Sequence, residues 1–161
     1  MILGMSISAF TLLHVIISLV AIASGLVAIL GLIGDKLYRG LTAIFLVTTV
    51  LTSVTGFLFP YKGVTPGIIL GILSMIVLLL AIVALYGNKL AGAWRGTYVI
   101  SATLALWFNV FVLFAQSFGK IPALKAIAPT QASPIFGITQ LAVMVVFIFI
   151  GVRAFKGFRS R

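Results

Sequence analysis

Acidic residues are almost missing from this chain. Among 161 residues there is one, Asp35, against eleven Lys and Arg, for a formal net charge of +10. Cysteine is absent and histidine occurs once, at position 14. Each shortage removes a class of chemistry. Without cysteine there is no disulfide, thiolate metal site, thiol nucleophile or covalent c-type haem attachment. With no carboxylate inside any apolar run, a carboxylate proton relay or an acid-coordinated cation site cannot be built. Glycine-rich nucleotide loops and zincin motifs are missing as well. A Ser-His-Asp triad would need Asp35 and His14 on one side of a membrane, and the topology below separates them. The chain therefore reads as a non-enzyme with no metal site.

Charge is scarce overall, at 7% of residues, while 63% are hydrophobic. A soluble domain carries about 25% charged residues. Twelve charges cannot clothe a water-facing globule of this size, which excludes a soluble enzyme and a disordered tail. The basic residues are spread among apolar blocks, so they form no phosphate-binding face and no nucleic-acid partner is expected. What remains is an all-α polytopic transmembrane bundle forming one domain over residues 1–161.

A helix crossing a hydrocarbon core needs about 20 mostly apolar residues. Five stretches qualify, at about 6–33, 40–59, 66–86, 96–118 and 134–155. The first lacks a basic leading region and its apolar run continues past Ala21-Ile22-Ala23-Ser24, so it reads as a retained span rather than a cleaved signal. Gly34-Asp35-Lys36 ends it, Pro60 ends the second, and Gly87-Asn88 ends the third. Thr65-Pro66 and Ser133-Pro134 both look like an N-cap followed by a first-turn proline. Continuous apolar runs, rather than alternating segments of about ten residues, exclude a membrane barrel. Between the last two spans, residues 119–133 carry Ile121, Leu124 and Ala128 at helical spacing beside Lys120 and Lys125. A short amphipathic helix at the interface is expected there, as a lid or a connector.

Orientation follows from the basic residues. One side holds Lys36, Arg39, Lys89, Arg95, Arg153, Lys156, Arg159 and Arg161; the other holds Lys62, Lys120 and Lys125. The positive-inside rule then puts the N-terminus outside and the basic 153–161 tail in the cytoplasm. That tail anchors the protein to anionic lipid through Arg153, Lys156, Arg159 and Arg161. Asp35, four residues before Arg39, is expected to form a local pair with it.

Small residues should bring the helices together, because lipid supplies no hydrophobic force between them. Ala21 and Gly25 form one seam in the first span, and Gly67, Gly71 and Ser74 another in the third. The second seam could close within the chain or join a homo-oligomer or another membrane protein. Polar residues at depth are costly and so informative. His14 and Ser18 lie in the first span, Thr52 and Ser53 in the second, Asn109 and Gln116 in the fourth and Gln140 in the fifth. In the proposed topology all of them fall in or near the outer half. They are candidates for a pocket that binds or passes a small neutral or lipophilic molecule, or else for helix-to-helix fastening. The alternatives are an accessory or assembly subunit, and a redox subunit binding haem or a quinone.

The segments Phe108-Asn109-Val110-Phe111-Val112, Gln116-Ser117-Phe118-Gly119-Lys120 and Ala128-Pro129-Thr130-Gln131 resemble an uncharacterised family of small bacterial multi-span integral membrane proteins. The resemblance implies a bacterial inner (plasma) membrane. A fainter likeness, from His14 followed by Gly25 in an apolar span, is to helical b-type cytochromes and implies haem held through His14. One histidine cannot supply a bis-histidine site within a chain, so such a haem would be shared between two protomers or completed by Met5, Met75 or Met144.

Overall fold

The computed structural model describes residues 1–159. In chain order it contains α1 (Ile7–Ile33), α2 (Arg39–Phe57), α3 (Pro66–Ile82), a π-helical turn (Val83–Gly87), α4 (Trp94–Lys120), α5 (Pro122–Ile127) and α6 (Pro134–Gly157). Five of these, with the π turn extending α3, are long and apolar enough to cross a bilayer. The protein is a multi-pass helical bundle.

Helix ends follow local chemistry. The Ser6 hydroxyl accepts from the Ala9 N–H at 3.2 Å, and Thr65 does the same for Ile68 at 3.3 Å, with Pro66 in the first turn. At α6 the proline is in place but the cap is not. Ser133 turns its hydroxyl back to accept from the Thr130 N–H at 3.2 Å, closing the preceding loop instead. α2 stops at Phe57, two residues short of the expected boundary, ahead of Pro60. α4 begins at Trp94, and α6 continues to Gly157. The end of α3 widens: the N–H groups of Asn88 and Leu90 reach back to the carbonyls of Val83 and Ala84 at 2.8 and 2.9 Å. Lys89 and Leu90 then take left-handed backbone angles, φ 50° and 61°, which drives the Leu90 side chain into the core.

Around the central α4, the other long helices form a fan in the order α6, α1, α2, α3. α4 is 50% buried along its apolar window and α6 only 17%, so α6 is the helix most open to its surroundings. The main core lies towards the basic end of the bundle. Ile29, Leu32, Phe45, Leu46, Ala81, Tyr98, Ala102 and Leu106 meet there. Gly25 makes this possible: a methyl group on it would stand 2.6 Å from the Phe45 ring and 2.8 Å from Leu106. The opposite, distal end holds a small second cluster of Phe118, Ala128 and Phe136, with Leu124 of α5 packed on it. α5 leaves Ile121 and Ile127 exposed at its two ends.

At the basic end, three helix termini are tied together by polar contacts. The lone carboxylate, Asp35, accepts from the Arg159 backbone N–H at 2.7 Å. That is a correction to the expected pair with Arg39, and its reason is tertiary: the end of α6 delivers a free N–H to the α1–α2 turn. The Arg95 guanidinium donates to the Phe155 carbonyl at 3.0 Å and also to the Phe158 carbonyl, and lies over the Phe155 ring. Gly157 packs directly on the Ile33 backbone. Arg161, expected to extend the basic tail, lies outside the described residues.

Candidate functional site

The polar residues at depth are joined in pairs, at three separate helix seams. On α1, His14 Nδ1 lies 2.7 Å from the Thr55 hydroxyl of α2. That hydroxyl also lies 2.7 Å from the Leu51 carbonyl; with its proton directed there, it accepts from an imidazole protonated on Nδ1. The ring stands edge-on to Phe59, which in turn meets Phe10. Between α4 and α2, Asn109 Nδ2 donates to the Thr49 hydroxyl at 3.2 Å. Between α6 and α4, Gln140 Nε2 donates to the Phe111 carbonyl at 3.0 Å.

The remaining candidates are more local. Ser18 donates to the His14 carbonyl at 2.7 Å and Thr52 to the Thr48 carbonyl at 2.8 Å, each within its own helix. Ser53 is buried. Gln116 is exposed on α4. Among the small residues, Ala21 and Ser74 are buried, and a methyl on Gly71 would stand 2.7 Å from the Phe57 ring. Gly67 is exposed and meets only its own cap residue, Thr65.

Open space lies elsewhere. A groove of about 540 Å³ runs between α4 and α6. α4 supplies Ile100, Thr103, Leu104 and Trp107; α6 supplies residues from Met144 to Lys156. Gly151 helps to make it, with the Thr103 methyl 3.3 Å from where a side chain would begin. A second groove of about 500 Å³ lies between α2 and α3, lined by Val47, Val50, Ile82 and Tyr86 among others. Neither is lined by His14, Ser18, Thr52, Ser53, Asn109, Gln116 or Gln140. The α4–α6 groove is apolar except at its mouth, where Lys156 stands. Trp107 and Met144 mark its deep end; one turn beyond them Gln140 bonds to Phe111 and the seam closes. Two polar atoms on this seam, Trp107 Nε1 and Gln140 Oε1, are buried without a partner.

Sequence reasoning missed this groove. Its α4 wall does carry a signal, an i, i+3, i+4, i+7 run from Ile100 to Trp107. Lys156 was legible only as an anchor.

His14 sits between α1 and α2 with Nδ1 engaged by Thr55 and the ring edge 3.6 Å from where a Gly56 side chain would be, so Nε2 is the ring nitrogen left for a metal or other ligand. Among the described residues no group of three or more His, Cys, Asp or Glu is placed to hold a metal ion. Compared with protein-family models, curated proteins and solved structures, the chain matches none.

Proposed function

We propose that this chain is a non-catalytic protein of the bacterial plasma membrane that binds a lipophilic molecule sideways from the bilayer, in the groove between α4 and α6. Its N-terminus is outside and its basic end cytoplasmic, the orientation favoured by eight basic residues against three. One observation carries the reading. The groove has the volume and apolar lining of a small-ligand site, and its rim residues Ile100, Ile148 and Val152 are about half exposed on the surface that would meet lipid. A polar passage along His14, Ser18, Thr52, Asn109 and Gln140 has less support, because each directs a polar atom to a helix contact and none lines either groove.

Organic extraction of protein purified in mild detergent tests the reading. The wild type should retain a lipophilic species in near-stoichiometric amount, and Gly151→Leu, which fills the groove, should lose it. Equal retention by a folded Gly151→Leu variant would refute the assignment.

Gly67 favours a second reading, as an accessory or assembly subunit. It is a small residue left exposed near the start of α3, and on its opposite side the same helix exposes Ile69, Ile72 and Ile76, surface suited to another membrane helix. Cross-linking in the membrane from position 67 would give a defined product under that reading and none under the first.

A further inference from the structure

We propose that the occupant of the α4–α6 groove is an anionic lipid of the leaflet at the basic end, with its phosphate at Lys156 and one acyl chain lying towards Trp107. This deepens the reading above and rests on it. Two features of the groove select this molecule.

The first is length. From Lys156 back to Met144 is twelve residues of α6, or about 18 Å at 1.5 Å per residue. A leaflet is about half of a ~30 Å hydrocarbon core, so a groove of this length takes an acyl chain from the interface to mid-membrane. The blind end at Trp107 and Met144 sits where such a chain stops.

The second is charge. Lys156 lines the groove and is exposed, with no hydrogen bond or ion pair to any described residue. Two nearby cations are otherwise engaged: Arg95 with the Phe155 and Phe158 carbonyls, and Arg153 over the Phe149 ring at 5.7 Å. Asp35 is the single acidic side chain, and it already accepts from Arg159. Among the described residues no anion is paired with Lys156, which leaves its ammonium open to one from the membrane. A zwitterionic lipid brings its own cation to the same place, and an anionic one does not.

Trp107 is a built-in reporter of occupancy. In a Trp94→Phe variant it is the sole tryptophan. The protein would be reconstituted into phosphatidylcholine vesicles with a fixed fraction of lipid brominated at mid-chain, either phosphatidylglycerol or phosphatidylcholine. Quenching by the brominated anionic lipid should show about a fivefold higher apparent affinity, the equivalent of about 1 kcal/mol for one lysine at an anionic surface. Lys156→Gln should abolish that preference, whereas Lys36→Gln, which removes an exposed cation elsewhere at the same end, should preserve it. Equal quenching by the two lipids would overturn the head-group assignment and leave lipophilic binding intact. Loss of the preference in both lysine variants would overturn it too, by making the effect one of general surface charge. No quenching by either lipid would refute the groove as a lipid site and the proposed function with it.

Discussion

The two ends of this bundle are held together by different means. The basic end is a packed core, with Phe45 and Leu106 closing on Gly25, and with helix termini tied by Asp35, Arg95 and Gly157. The distal end has a small aromatic cluster and the seat of Phe57 on Gly71, and from mid-bundle outward the helices share single hydrogen bonds: Asn109 to Thr49, His14 to Thr55 and Gln140 to Phe111. In lipid, where apolar surface gains nothing from facing another helix rather than an acyl chain, close packing of small residues and interhelical hydrogen bonds are the two available devices. This chain concentrates its close packing at the basic end and adds cross-helix hydrogen bonds towards the distal one. Close packing stabilises through many contacts and is sensitive to one added methyl. Each cross-helix hydrogen bond contributes about 0.6 kcal/mol on average, so the distal end should tolerate single changes.

That contrast can be broken most severely at Gly157. A methyl there would fall 2.9 Å from the Ile33 carbonyl carbon, against backbone that cannot swing aside. Gly157→Ala should cost about 3 kcal/mol, at the top of the range for overpacking, and show as loss of folded protein in a detergent unfolding titration. Next comes Gly25→Ala, at about 2 kcal/mol, because the Phe45 ring and Leu106 must both move. A distal change should be milder: Asn109→Leu is expected to cost about 1 kcal/mol in the same titration. Gln116→Leu should fall within about 0.5 kcal/mol of wild type, since the side chain is exposed. An Asn109→Leu effect as large as that of Gly157→Ala would erase the distinction between the two ends.

Much of the fold was legible in the sequence, because span length and turn chemistry are local. Five apolar runs, Thr65-Pro66 and the stop at Gly87-Asn88 all follow from such rules. Which face of a span turns inward is a different matter. The core and lipid faces of these helices are both apolar, so periodicity carries little information about packing. Gly25 and Gly67 look alike in sequence, yet one sits under Phe45 and Leu106 and the other is exposed. Gln140 and Gln116 look alike too, and only Gln140 reaches a neighbouring helix. The tie between Asp35 and Arg159 joins residues 124 positions apart, beyond any local pattern. The α4–α6 groove was hidden for the same reason as the packing faces, with only Lys156 standing out by charge.

Polar groups at membrane depth could fasten helices or serve a solute, and a double-mutant cycle on Asn109 and Thr49 separates the two most directly. Reversible unfolding of Asn109→Leu, Thr49→Val and the double variant would give the coupling energy. Fastening predicts a favourable coupling of about 0.6–1.7 kcal/mol, the span from average to maximum for such bonds in membranes. A coupling indistinguishable from zero, or a double variant more stable than either single one, would contradict it and return Asn109 to the candidates for a polar pocket.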